Sequence, residues 1–73
     1  MSRLPVIPGW KCVKTLEKIG FYVKRREGSQ VILRRDEPFC QVVVPQHHVL
    51  DKGTLRGILR QADVNIQDFL KVM

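Results

Sequence analysis

The spacing of apolar positions changes from segment to segment along this chain, and each change marks an element. From Trp10 onward, Cys12, Val13, Leu16 and Ile19 recur at helical intervals, while Lys11, Lys14 and Lys18 repeat at steps of three and four on the other side. This predicts an amphipathic helix with a basic outer face, closed at Gly20, where a left-handed residue commonly ends a helix. Trp10, at its start, is expected to staple over the core. Phe21–Arg26 then alternates, so Phe21 and Val23 should face one way and Tyr22, Lys24 and Arg26 the other, with Arg25 opposite Lys24 and Arg26. Glu27-Gly28-Ser29 supplies a turn in which Gly28 is free to take a positive φ. Gln30–Arg35 is rich in branched residues and reads as a second strand, broken by Asp36-Glu37-Pro38 because proline donates no ladder hydrogen bond. Phe39–Val44 is a third strand, ended by Pro45, whose run Val42-Val43-Val44 implies cover on both faces for part of its length. Strands joined by turns this short must form an antiparallel meander.

Beyond the loop Gln46–Leu50, Asp51 is placed to cap a second helix, in which Leu55, Ile58, Leu59 and Ala62 complete an apolar stripe with Arg56 and Arg60 outside it. Gly57 weakens that helix by about 1 kcal/mol relative to alanine, so it is expected where backbone packs closely. Asn65 and Asp68 resemble a capping box for a last short helix, Ile66 to about Val72. Residues 1–73 should therefore form a single α+β domain of order α-β-β-β-α, with a three-stranded antiparallel sheet. Residues 1–9, with Pro5 and Pro8, make an extended lead-in, and residues 64–73 a C-terminal helical tail. This order on a basic domain of this size resembles the double-stranded-RNA-binding fold.

Size and charge narrow the chemistry. A chain of 73 residues buries only about 60 % of the surface its unfolded form exposes, leaving no room for a deep cavity with its own supporting shell. Any substrate must lie across the surface. Thirteen Lys and Arg oppose seven Asp and Glu, a net +6. The excess sits in one half: Lys11 to Arg35 holds eight basic residues against Glu17 and Glu27, whereas Asp36 to Met73 is nearly neutral. Clustered cations suit a polyanion, because they release counterions from phosphates; the plainer reading is a solvated surface. Residues 1–9 hold no apolar run suited to export, and no stretch approaches the roughly 20 apolar residues a membrane span needs. The chain reads as cytoplasmic, with Cys12 and Cys40 reduced. A zinc site from Cys12, Cys40, His47 and His48 lacks paired-ligand spacing and is set aside, so neither a metal nor a cofactor is expected.

Several segments carry a closer resemblance. Leu16-Glu17-Lys18-Ile19-Gly20-Phe21, Arg26-Glu27-Gly28-Ser29, Val43-Val44-Pro45-Gln46-His47 and the run from Lys52 through Gly53-Thr54-Leu55-Arg56 to Gln61-Ala62 occur in this order and spacing. Together they span about Cys12 to Ala62 and are similar to the HicA-type (YcfA-like) mRNA interferase toxins. The Gly-Thr-Leu-Arg-x-Ile-Leu-x-Gln-Ala run is the most specific, since it fixes helix start, stripe and basic face at once. The resemblance implies a small cytoplasmic endoribonuclease that cuts mRNA without a metal and is neutralised by a HicB-type antitoxin. It also implies a catalytic histidine in Gly-Ser-His at the opening of the second strand.

Here that tripeptide is Gly28-Ser29-Gln30. Metal-free RNA cleavage needs a group that takes the proton of the 2′-hydroxyl as it attacks the neighbouring phosphate. Histidine does this because its pKa lies near the working pH. A glutamine amide hydrogen-bonds but cannot take up that proton. The sequence thus implies a weakened or inactive toxin, or a non-catalytic module for double-stranded or structured RNA. Gln30 keeps the family's catalytic position, and His47 is the remaining candidate for proton transfer; the plain reading of His47 and His48 is as loop residues. Lys11, Lys14, Lys18, Lys24, Arg26 and Ser29 are the expected RNA-binding residues, reading phosphates and shape rather than bases. Tyr22 suits a half-buried position better than a base stack.

Overall fold

The computed structural model describes residues 3–73; Met1 and Ser2, the beginning of the expected lead-in, lie outside them. The elements follow as α1 (Gly9–Lys18), β1 (Tyr22–Glu27), β2 (Gln30–Asp36), β3 (Phe39–Pro45), α2 (Lys52–Ala62) and α3 (Ile66–Val72). The three strands form one antiparallel sheet in the order β1-β2-β3. This is the α+β architecture of double-stranded-RNA-binding domains, extended by a short C-terminal helix.

Helices cover only one face of the sheet. Val31 pairs with Val44 and Leu33 with Val42. Directly paired residues share a face, and all four are buried against Cys12, Val13 and Leu16 of α1, Leu55, Ile58 and Leu59 of α2, and Phe69 of α3. Val43, between two buried valines, is exposed, so the valine run is covered on one face and not on both. The other face carries Tyr22, Arg25, Gln30, Ile32, Arg34, Gln41 and Val43. Ile32 is buried there outside the main core.

Local chemistry explains the helix ends. After α1, the Phe21 N–H donates to the Leu16 carbonyl (3.1 Å) and the Gly20 N–H to that of Glu17 (3.3 Å), with Gly20 at φ +115°. This is a Schellman closure, and its two hydrophobic partners, Leu16 and Phe21, are both buried. Asp63 closes α2 in the same way, but at φ +57° without being glycine. Asp51 Oδ1 accepts the Thr54 N–H at 2.7 Å and caps the start of α2. Asn65 caps α3 by accepting the Gln67 N–H at 2.7 Å. A helix as short as α3 is not stable alone; burial of Phe69, about 2–3 kcal/mol for such a side chain, holds it to the core.

Three further expectations need correction. Register slips between Val23 and Arg25, which leaves Lys24 unpaired in a β-bulge. The extra residue inverts the alternation beyond it. Arg25 thus pairs with Ile32 on the open face together with Tyr22, while Arg26 pairs with Val31 on the helix-covered side together with Val23. Gly57 is not closely packed, for a side chain there would meet open space. Trp10 does not cover the core; it is 61 % exposed. Positions 10 and 16 lie about 120° apart on a helix of 3.6 residues per turn, so when Leu16 faces inward Trp10 cannot.

Candidate functional site

Four segments meet at one end of the sheet. The β1–β2 hairpin is closed by Gly28 and Ser29, with Gly28 at φ +58°, and Glu27 pairs with Gln30 across it. Gln30 opens β2 and pairs on its other side with Pro45, the last residue of β3. The Gln46 N–H then donates to the Ser29 carbonyl at 2.6 Å, tying the loop after β3 to the hairpin. The His47 carbonyl accepts the Gly9 N–H at 2.9 Å, which brings in the start of α1. Leu50 donates to Ile7 at 2.7 Å, so the lead-in runs alongside His47–Leu50 as a short antiparallel bridge.

Gly9 is the tightest point in this assembly. A Cβ there would overlap the Pro45 carbonyl oxygen and crowd the Cα of Gln46. Only glycine lets the first turn of α1 approach the β3 exit so closely. The approach was not visible from spacing; its signal is a glycine as first residue of a helix, directly after Pro8, which stands where Ser, Thr, Asn or Asp would cap and provides no side-chain cap.

Gln30 is exposed on the open face, and Ser29 is exposed beside it. His47 and His48 are exposed in the adjoining loop. His47 enters the local network through its backbone carbonyl. The structure thus brings Gln30, Ser29 and the His47 backbone together. Among the described residues no pocket opens at this end or elsewhere, so a ligand must lie over the surface.

The expected cations are distributed less uniformly. Lys11 is half-buried, and Lys14 and Lys18 are exposed on the outer side of α1. Lys18 Nζ donates to the Val72 carbonyl at 3.0 Å, placing its charge at the C-terminus of α3, where the helix dipole favours a cation. Lys24 is exposed in the bulge and Arg26 exposed on the helix side of β1. Arg25 bonds Glu27 at 2.6 Å. Arg34 lies 5.3 Å over the Phe39 ring, and Arg35 lies 5.0 Å over Phe21 and donates to the Pro38 carbonyl. Tyr22 is exposed and donates to the Asp36 carboxylate at 3.0 Å. Of these expected cations, Lys11, Lys14 and Arg26 lie on the helix side without an intramolecular hydrogen bond among the described residues. Spacing understated a second row: Lys52, Arg56 and Arg60 are all exposed and recur every fourth residue along α2.

Of the two cysteines, Cys40 stands toward the other end of the sheet, paired with Arg35, while Cys12 lies in the first turns of α1 with its side chain in the core. Cys12 is fully buried under α1, and burial pushes its thiol up to about 12. Cys40 is half-buried and its Sγ–H donates to the Gln61 carbonyl at 3.1 Å. Among the described residues no three His, Cys, Asp or Glu side chains converge on a common point. No helix among them is long and apolar enough to cross a membrane.

A comparison with curated proteins finds no match to the chain. The sequence model of the family described as the HicA toxin of bacterial toxin–antitoxin matches residues 9–64. The match begins at the glycine that locks α1 onto β3, runs through the hairpin and the His47 loop, and ends where α2 closes. It takes in well over half of the sequence, and the protein accordingly belongs to the HicA toxin family of toxin–antitoxin systems.

Proposed function

We propose that this protein is an RNA-binding HicA toxin that engages mRNA in the cytoplasm at the end of the domain where the hairpin, the His47 loop and the start of α1 converge. Its cleavage step is weakened or lost because residue 30 is glutamine. The observation that carries this reading is the exposed Gln30 at the mouth of β2, tied through Pro45 and the Ser29–Gln46 bond to the His47 loop. The strand's phosphates would rest on Lys11, Lys14 and Arg26 on the helix side, and the strand would pass round the hairpin end, with Ser29 bonding there, to reach Gln30 on the open face; Lys18 and Lys24 extend the positive field at its margins. In the cleaving reaction a base removes the 2′-hydroxyl proton, the 2′-oxygen bonds to phosphorus, and the bond to the 5′-oxygen breaks as that oxygen is protonated. Gln30 can hold a phosphate oxygen through its amide N–H but cannot accept the proton.

The test is cleavage of RNA by this chain and by Gln30→His. A restored general base should raise the rate by about 10²- to 10⁴-fold. No gain would remove the assignment of residue 30. Replacing His47 by alanine in both backgrounds tells whether its imidazole takes part; unchanged rates would leave His47 a loop residue. Glutamine at this position also favours a second reading, a module that holds structured RNA without cutting it. In that case RNA is retained and Gln30→His adds no cleavage. In either reading a HicB-type antitoxin would neutralise the toxin most simply by covering this end with acidic and apolar groups.

A further inference from the structure

Trp10 has no part in the core, and its surroundings suit a ligand. It is 61 % exposed, and Val49 and Val6, which flank the Ile7–Leu50 bridge, are 58 % and 54 % exposed. The backbone beneath it is anchored: Gly9 sits so close to Pro45 and Gln46 that no side chain fits between, and its N–H is held by the His47 carbonyl. The indole therefore projects from a rigid corner. Trp10 and Gln30 are separated only by the Gly9–Pro45 contact and one strand pairing, which puts their Cα atoms on the order of 10 Å apart. Stacked nucleotides of one strand rise about 3.4 Å each, so a few nucleotides bridge the two. Lys14 stands one helical turn beyond Trp10 on the same flank, and Lys11 beside it. Glu17, a turn further on, is the acidic residue of that flank.

A flat aromatic face beside cations is how unpaired nucleotides are held, with bases stacking and phosphates paired to ammonium groups. Bases inside a duplex already stack on each other and present no free face. We propose that Trp10 is a stacking platform for one unpaired base of the bound RNA, with Lys11 and Lys14 on the adjoining phosphates. The RNA taken at this end is then single-stranded, or a loop or bulge, despite a fold associated with duplex binding. This rests on the RNA-binding reading above.

Trp10 is the only tryptophan in the chain, so its fluorescence reports the site directly. The full chain is titrated with an unpaired RNA oligonucleotide and with a blunt RNA duplex of equal length, while filter retention measures binding independently. Quenching by the unpaired strand should track its retention. Trp10→Ala should weaken that binding by roughly 5- to 150-fold, the range of one base–aromatic stack, and leave duplex retention unchanged. Trp10→Phe should keep most of the affinity. Retention of the unpaired strand with unaltered indole emission, or equal affinity in Trp10→Ala, overturns the stack and leaves the RNA reading intact. No retention of either RNA at low salt overturns both. If Trp10→Ala instead abolishes capture of a HicB-type antitoxin while RNA retention is unchanged, the indole belongs to a protein interface and the stack is overturned.

Discussion

The contact at Gly9 makes a prediction opposite in sign to what helix propensity alone would give. Alanine is the better helix former, by up to about 1 kcal/mol. At Gly9, however, the added Cβ meets the Pro45 carbonyl and the Gln46 backbone, neither of which is the end of a flexible side chain. Forcing an extra carbon into packed backbone costs typically about 1–3 kcal/mol. Moving the helix away also lengthens the Gly9–His47 hydrogen bond, worth about 0.5–1.5 kcal/mol. After the propensity gain of about 1 kcal/mol is subtracted, Gly9→Ala should destabilise by about 0.5–3.5 kcal/mol, centred on about 2 kcal/mol. In a domain of this size each kcal/mol moves the midpoint by about 4–8 °C, so at that centre its Tm should fall by roughly 8–16 °C. Gly57→Ala is the control, since that Cβ enters open space inside α2. It should stabilise by up to about 1 kcal/mol. Thermal and urea unfolding followed by circular dichroism measure both. A Gly9→Ala protein as stable as the parent would refute the packing argument.

Other consequences are simpler to check. With its thiol shut in and pushed up to about 12, Cys12 should resist a maleimide in the folded protein, while half-buried Cys40 is modified; mass spectrometry after limited labelling distinguishes them, and preferential labelling of Cys12 would contradict the burial. Asp63→Gly should stabilise by about 0.5–1 kcal/mol, because glycine takes the left-handed cap of α2 without the cost that a Cβ brings; a lower midpoint would show that the carboxylate earns its place. The Thr54 N–H holds the Asp51 carboxyl below its ordinary range. Its contribution is therefore complete above the unfolded carboxylate pKa and is lost as pH falls through the lower folded value. Asp51→Asn keeps a good cap without the titration, so its stability should fall less steeply in acid than the parent's; equal slopes would count against the assignment.

Elements that bury one side of a regular repeat were legible in the sequence. The stripe of α2, its Asp51 cap and the last helix beginning at Ile66 are where spacing put them, because each apolar period must face the single core. What spacing could not convey depends on partners distant in sequence. The bulge at Lys24 exists only relative to β2, and it moves Arg26 to the helix side. Spacing alone does not tell that backbone of another segment crowds Gly9 and leaves Gly57 open. Lys18 joins the expected basic face of α1, but docking of α3 gives its ammonium a carbonyl to bind. The candidate site was legible in part. A two-residue turn and a meander dictate that Gln30 and Pro45 are neighbours, which brings the His47 loop near; that α1 begins there follows only from the Gly9 contact, whereas the exposure of Trp10 follows from its place on the helix.

Gly9 and Trp10 are adjacent, but their substitutions should couple differently to residue 30. Gly9 determines where the His47 loop sits, through its N–H and the absence of a side chain. Displacing α1 would move that loop relative to Gln30, so on the proposed reading the rate gained by Gln30→His should be smaller in a Gly9→Ala background, measured at a temperature where both fold. Substitutions sharing a contact network are non-additive in this way. Trp10 is largely exposed and lies outside the core cluster, so its removal takes away a face for the ligand more than a support for the site. Trp10→Ala should therefore weaken RNA binding by the same factor whether residue 30 is glutamine or histidine. Coupling at Gly9 without coupling at Trp10 separates the scaffold of this end from its contact surface. The reverse pattern would mean that the indole, and not the glycine, holds the loop in place.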